Sequence, residues 1–256
     1  MRGFIPPQTQ EETVFCKQAL ARCEKSEKLN IKVFSNFLDL RQKELFTAQF
    51  NKCRGVKLDF YAGFDGDSER CIACVYNEYD EVYTYDYPIS ILHSEIRGED
   101  KLTHRDFLGS IMNLMIKREY IGDIIVRNDE CYIACHNSMA PILITELKKV
   151  RRSFVDFDYY DGSLEYQREV SLTKTVTVAS MRLDAVIGAV LNNSRSEASA
   201  LIKQGLVSVN HLLTKRADFE IIDGDVLSIR HHGKYKLCFD GGKSRKDRFF
   251  ITYLKY

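Results

Sequence analysis

An α+β fold is predicted by three observations on the 256-residue chain: apolar positions at helical spacing near the N terminus, two hairpin-plus-helix units in the middle, and a helix pair followed by short strands in a basic last third. The expected division is 1–52 for N-terminal helices, 53–157 for an α+β middle domain, 158–179 for a connecting strand or linker, and 180–256 for a basic module. The length suits about two domains of ~150 residues. A hydrophobic fraction of 45% and a charged fraction of 29% exclude a wholly disordered chain, a collagen-like repeat and a small disulfide scaffold.

The first helix is expected over residues 9–28. Thr9 and Glu12 have capping-box spacing, and Val14, Phe15, Leu20 and Cys23 supply a partly apolar face. Asp39, with Gln42 three residues on, opens a second helix to about Asn51, with Leu40, Leu45, Phe46 and Phe50 inward. Val56–Gly63 then alternates, and Asp65-Gly66-Asp67 marks a turn before Arg70–Tyr76, which reads as a hairpin. Asn77–Pro88 is an acidic, tyrosine-rich loop whose rings either stack on bases or pack over a sheet edge.

Ile89–Arg97 reads as a strand. Thr103-His-Arg-Asp106 is a second capping box, opening a helix to about Lys117 with Phe107, Leu108, Ile111, Met112 and Met115 on one buried face. Ile121–Arg127 and Glu130–Cys135 form a hairpin across Asn128-Asp129. A helix from Ser138 to Val150 follows, with Pro141 tolerated in its first turn, and then strands at Ser153–Phe157 and Glu169–Val178. Two hairpin-plus-helix units in succession imply a ferredoxin-like or RRM-like middle domain. The run of aromatics that an RNA-reading RRM displays on its central strands is not found, so this domain is expected to share the shape without the activity.

Eight cysteines would suggest disulfides only in a secreted chain. The N terminus lacks the apolar segment of a signal peptide, and apolar stretches such as Ala185–Leu191 are far short of the ~20 residues of a membrane span. A cytoplasmic protein with reduced thiols and no membrane span is the expectation. Cys71 and Cys74 have C-x-x-C spacing, but they sit in a strand-like run, as do Cys131 and Cys135. Buried thiols are therefore expected, and no metal or cofactor.

Net charge is +1 overall but unevenly spread. From Met181 onward there are thirteen Lys/Arg against eight Asp/Glu, a net of +5, which leaves −4 for residues 1–180. In this region Ser180 is read as the cap of a helix with Leu183, Val186, Ile187, Val190 and Leu191 in one stripe, ended by Asn192-Asn193. Ser194 and Glu197 cap the next helix, with Ala198, Leu201 and Ile202 inward and Gly205 beyond its end. Strands are expected at Leu206–Asn210, Phe219–Ile222 and Val226–Arg230, the last after the turn Asp223-Gly224-Asp225.

Arg182 and Arg195 each fall in a first helical turn, where a cation faces the positive end of the dipole at a cost of ~0.3–1 kcal/mol. Helix N-termini with free N–H groups bind anions, so two such arginines suit a phosphate ligand. The plainer reading is local compensation by Asp184 and Glu197. Arg195, Ser199 and Lys203 form one polar stripe, Lys215 and Arg216 follow the strand, and Gly241–Arg248 is a basic tail.

This pattern resembles the S4 RNA-binding domain. The residues that carry the resemblance are Arg182-Leu-Asp184, Ser194-Arg195 with Ala198, Leu201-Ile202, Gly205–Asn210, Lys215 and Gly224–Arg230. His211 departs from it, since S4 domains often carry Gly there. His104–Gly109, Ile116-Lys-Arg118, Gly122–Ile125 and the tail Gly241–Arg248 look like the YlmH family, a bacterial, cytoplasmic family whose gene typically lies near cell-division genes. That resemblance implies binding to rRNA of the large ribosomal subunit together with tRNA, in rescue of stalled ribosomes, with a supporting part in division and with rescue or division proteins as further partners. It makes Arg182 and Arg195 the principal RNA contacts. Ser194, Ser199, Lys203, Asn210, Lys215, Arg216, Arg230, Lys243, Arg245, Lys246 and Arg248 complete the expected set, and His104 and Arg105 are a secondary contact.

An appended enzyme is the competing class. A pseudouridine synthase needs a catalytic Asp in a large separate β-domain, and only Arg182-Leu-Asp184 looks superficially like its motif. A tyrosyl-tRNA synthetase needs a nucleotide-binding domain that is not visible. Gly63-Phe-Asp-Gly66 is too short for a methyltransferase loop, and His104-Arg-Asp106 lacks the rest of a kinase set. A non-enzymatic RNA-binding protein with no catalytic residues is expected; the alternatives are an RNA-modifying enzyme or a division accessory protein acting through a protein partner.

Overall fold

The computed structural model describes residues 4–162, 164–166, 172–239 and 241–256. The chain divides into two compact units, Ile5–Gln167 and a C-terminal unit from Arg168 to Tyr256.

Helix α1 (Gln10–Leu29) starts where expected, with the Thr9 hydroxyl accepting the Glu12 N–H at 3.1 Å. The capping box is not reciprocal. The Glu12 carboxylate accepts the Gln8 N–H and the Arg41 guanidinium instead. The buried face is also rotated from expectation, to Cys16, Ala19, Cys23 and Ser26, leaving Val14 exposed. These small side chains let the helix lie close on a sheet, close enough for the Ser26 hydroxyl to donate to the Val75 carbonyl at 3.0 Å.

That sheet begins with β1 (Val33–Leu38), a strand the sequence reading did not anticipate. Helix α2 (Leu40–Phe50) follows, with the Asp39–Gln42 capping box formed in both directions. Strands β2 (Val56–Tyr61), β3 (Asp65–Gly66) and β4 (Cys71–Asn77) come next. The expected β2–β4 hairpin forms, but it pairs with β1 in a three-stranded sheet of order β1-β4-β2. Alternation along β4 sends Ala73 and Val75 to the core under α1 and α2, and Ile72 and Cys74 to the opposite face.

The middle fold runs β5 (Ile89–Arg97), α3 (His104–Asn113), β6 (Ile121–Arg127), β7 (Glu130–His136), α4 (Ala140–Glu146), β8 (Lys149–Val150) and β9 (Ser153–Val155). The short strands β10 (Asp158–Tyr159) and β11 (Glu165–Tyr166) follow, β10 beside β5 and β11 beside β3. The sheet order β6-β7-β5-β9-β8 with two helices between strands is the split βαβ arrangement of ferredoxin-like folds. The β6–β7 hairpin turns at Asn128 and Asp129, both with positive φ.

Both helices stop short of expectation. α3 ends at Asn113 and the chain turns through Met115 at φ +60, so Met115 is 89% exposed rather than on the buried face. α4 ends at Glu146, because Lys149 and Val150 are recruited to a hairpin with β9.

One face of this sheet packs on α3 and α4 through Leu92, Ile133, Phe107 and Leu143. The other meets the β1-β4-β2 sheet: Ile125, Tyr132 and Ala134 pack with Phe37, Phe64, Ile72 and Cys74. The approach is close at Gly122, where an added Cβ would lie 2.6 Å from the Phe37 ring and 2.9 Å from the Ala134 Cβ.

The C-terminal unit comprises β12 (Leu172–Val178), α5 (Leu183–Leu191), α6 (Arg195–Lys203), β13 (Val207–Val209), β14 (Leu212–Leu213), β15 (Val226–Ile229), β16 (Gly233–Cys238) and β17 (Phe249–Lys255). The sheet order is β12-β17-β16-β15-β13-β14. The stripe Leu183, Val186, Ile187 and Val190 joins Ala198 and Ile202 in its core.

Several expectations change here. Arg182, not Ser180, is the N-cap of α5. Phe219–Ile222 is no strand and contributes one bridge, Glu220 to Arg182. The expected Glu169–Val178 strand is seen from Leu172, and residues 169–171 lie outside those described. It pairs along its length with β17, Leu172 to Lys255 through Val178 to Phe249. The basic run Gly241–Arg248 is therefore a connection between β16 and β17 rather than a tail. Its flanking strands, like β14, were not read from the sequence, because each is defined by the distant strands it pairs with, β17 by β12 and β16.

Candidate nucleic-acid interface

The C-terminal unit brings Arg182 and Arg195 to one carboxylate. Asp184 is the second residue of α5 and is 5% exposed. Arg182 donates to it side-on, Nε at 3.2 Å and Nη2 at 3.1 Å. Arg195 Nη2 lies 2.9 Å from each of its oxygens. Burial alone would push Asp184 up, but the hydrogen bonds from the two arginines outweigh it and hold the carboxyl below its ordinary value. The hydrogen bond to Asp184 in turn raises Arg182.

The two arginine side chains remain 44% and 58% exposed, so one buried carboxylate fixes two cations at the surface. Each arginine has five donors, and those not spent on Asp184 are available to phosphate oxygens.

The anion-binding helix terminus expected at α5 is not available. The Leu183 and Asp184 N–H groups donate to the carbonyls of Phe219 and Ala217, at 2.8 and 3.1 Å. Both arginines thus owe their place to Asp184, which the sequence reading saw only as local charge compensation. The spacing Arg-x-Asp at a helix start was the signal.

The rest of the expected set divides by what holds it. Ser194 is spent on the capping box: its hydroxyl accepts the Glu197 N–H and donates to the Glu197 carboxylate. Asn210 is spent on a turn, at φ +49, donating to Asp225 and accepting the Val226 N–H. His211, where S4 domains often carry Gly, continues that turn at φ +67. Ser199 is half-buried on α6, and Lys203, on its last turn, and Arg230, at the end of β15, are exposed. Lys215 lies beside Gly205 at the end of α6, its Cε 3.7 Å from the place of a glycine Cβ. Arg216 pairs with Asp218 at 3.2 Å, and Asp218 adds to the field that raises Arg182.

The 241–248 connection is an ordered turn. Lys243 pairs with Asp247 at 2.8 Å and lies over the Phe249 ring, and Arg248 donates to the Thr177 carbonyl on β12. Arg245 and Lys246 are exposed at its tip.

In the other unit, Thr103 and Asp106 cap α3 as expected, and Asp106 also pairs with Arg151 at 2.6 Å. His104 and Arg105 are exposed on its first turn. The neighbouring sequence signature is a joint between sheets. Arg118 donates to the Gly122 and Ile121 carbonyls, Arg70 to those of Phe37 and Ile121, and Asp123 accepts the Glu69 N–H. Burial lowers Arg118 to about 10.

In the tyrosine loop Tyr87 is buried against Phe34 and Tyr61, while Tyr83 and Tyr85 stack on each other, 5.3 Å apart. Cys71 and Cys74 are both buried, and burial pushes the thiols to about 11 and about 12. Among the described residues there is no group of three or more His, Cys, Asp and Glu able to hold a metal ion, and no helix long and apolar enough to cross a membrane.

Two family models match the chain. The S4 domain covers residues 181–227, the segment that holds Arg182, Asp184 and Arg195, and the model described as "Putative RNA-binding domain in YlmH" covers residues 84–162, the ferredoxin-like fold. The chain resembles the YlmH-type S4-domain family in both segments. It is 29% identical over 223 residues to the "Ribosome-associated protein quality control protein P2" of Bacillus subtilis, covering 86% of this chain and 85% of that protein. The solved "Cell division protein ylmH from Streptococcus pneumoniae" superposes with a TM-score of 0.52 at 22% identity, over 62% of this chain and 96% of that one, and shares its fold. The middle domain is thus similar to a domain whose description names RNA binding. In this chain the part of the sheet where an RNA-reading RRM displays aromatics is covered by the β1-β4-β2 sheet.

Proposed function

We propose that this protein is a non-catalytic, cytoplasmic RNA-binding protein. Its S4 face binds rRNA of the large ribosomal subunit together with tRNA, in quality control of stalled ribosomes. The observation that carries this reading is the pair of half-exposed arginine side chains braced on buried Asp184. Fixed cations at a defined spacing select a phosphate geometry, whereas mobile ones raise affinity for any polyanion.

Lys203, Lys215, Arg216 and Arg230, with Arg245 and Lys246 at the loop tip, extend the positive field around that pair; Ser199 is a lesser polar contact on α6. Ser194 and Asn210 serve by shaping the helix start and the turn. Lys243 and Arg248 serve by ordering the loop. His104 and Arg105 form a separate, secondary contact. The names of the relatives supply the ribosomal setting, and the charge layout supplies the RNA.

The test is sedimentation of the tagged protein from lysed cells on a sucrose gradient, beside an Arg182→Ala/Arg195→Ala variant. Wild type in the large-subunit fraction with the variant at the top supports the reading. Both at the top at low salt refutes it and turns attention to a free RNA or a protein partner.

A further inference from the structure

The ferredoxin-like sheet is covered on its helix-free face only in part. Ile125, Tyr132 and Ala134 are sealed under the β1-β4-β2 sheet, but the same face stays open toward β9 and β8. Register places three residues side by side there: Arg97 on β5 opposite Phe154 on β9, and Phe154 opposite Lys149 on β8. Directly opposed residues point to the same side of a sheet.

Phe154 is 61% exposed, an unusual position for an aromatic ring in the interior of a short strand. The Lys149 ammonium lies over the ring, 5.3 Å from its centroid, and the side chain of Arg97, opposite Phe154 in register, is 75% exposed. Of the acids beside it, Glu95 pairs with Arg97 at 3.7 Å, Asp156 pairs with Lys148 at 2.6 Å, and Asp158 accepts the Tyr159 N–H at 2.7 Å. Beside the ring is a concavity lined by His93, Glu95, Arg97, Phe154, Asp156 and Asp158. An exposed ring with a lysine ammonium over it and an arginine opposite it on the paired strand has the chemistry of a base-stacking platform, the rest of the ring's surface taking a base and the cations the flanking phosphates.

We infer that Phe154, with Arg97 and Lys149, is a stacking site for one unpaired nucleotide of single-stranded RNA, at the uncovered edge of the sheet and apart from Arg182 and Arg195. The inference rests on the RNA-binding reading and locates where the 84–162 domain makes its contact. Sequence reasoning missed it because the three residues come together only through strand register. A duplex, whose bases are stacked already, does not offer a free face to the ring.

The test uses the full-length protein and a fluorescein-labelled single-stranded RNA of roughly 12 nucleotides carrying 4-thiouridine, within the span such sites cover. Anisotropy gives affinity and photo-crosslinking gives position. The starting point is the Arg182→Ala/Arg195→Ala background, so that residual binding reports other sites. Added Phe154→Ala is expected to weaken that residual binding about five-fold or more and to remove crosslinks to the β8–β9 hairpin. Phe154→Tyr, which keeps the stacking face, is expected to keep both. An exposed ring can be removed without loss of fold, and a thermal melt checks this. Unchanged affinity and crosslinks after Phe154→Ala, with wild type still binding RNA, overturn this site alone. Failure of wild type to bind the RNA at low salt overturns the RNA-binding reading beneath it.

Discussion

The Arg182–Arg195 pair and the 241–248 connection are both basic but are held differently. The pair converges on one buried carboxylate whose position the start of α5 fixes. The connection holds Lys243 and Arg248 in contacts that order the loop itself, and offers Arg245 and Lys246 on long exposed side chains. In the proposed role, the first arrangement limits where a phosphate can sit and the second adds attraction that salt screens. The difference teaches that a count of basic residues overstates a binding site unless one asks what each cation is already doing.

The largest effect should separate the two regions directly. Removing Arg195 by substitution with Ala is expected to weaken RNA binding by about 1–3 kcal/mol, the range of a charge-assisted contact. Equal affinity of variant and wild type in a titration would remove this residue from the site. Arg245→Ala and Lys246→Ala should each act mainly on salt dependence, lowering the slope of log affinity against log salt by about 0.9 at most. A loss that persists at high salt would mean that the loop tip also reads geometry. Lys243→Ala and Arg248→Ala should differ from these two in lowering thermal stability as well, because Lys243 packs over Phe249 and Arg248 ties the loop to β12.

A smaller effect concerns pH. The folded value of Asp184 lies below its unfolded one, so its contribution to stability is complete above about pH 4 and is lost as pH falls through the lowered folded value. Wild type should therefore be more stable than Asp184→Asn by a constant margin between pH 5 and 8, and unfolding followed by circular dichroism should show that margin shrinking as pH falls below about 4. Smallest of all is a control in the other unit. Met115 holds φ +60 with its side chain exposed, so Met115→Gly should raise stability by roughly 0.5–1 kcal/mol and leave RNA affinity untouched. A change in affinity would show that the two units are coupled.

Much of the C-terminal unit was legible in the sequence, because local chemistry specifies it. The Ser194–Glu197 capping box, the α5 stripe and the turn at Gly224 are each written within a few residues. The failures share one cause, non-local pairing. β1 is recognisable only once β4 lies beside it, and the 241–248 run looks like a tail until β17 pairs with β12 and β16. α4 reads as longer than it is because Lys149-Val150 gains more from pairing with Ser153-Phe154 than from another helical turn. At the site, the two arginines were found by their odd place at helix starts. Asp184 was undervalued because its burial, and the arrival of Arg195 from the next helix, are tertiary facts.

The central claim is that geometry, not charge alone, makes the Arg182–Arg195 site, and Asp184→Asn tests it most directly. The substitution keeps the shape of the side chain, removes one negative charge and loosens both arginines. A titration against the same RNA at fixed salt is expected to show weaker binding than wild type despite the gain in net positive charge. Equal or tighter binding would contradict the account and reduce the site to a patch of positive potential.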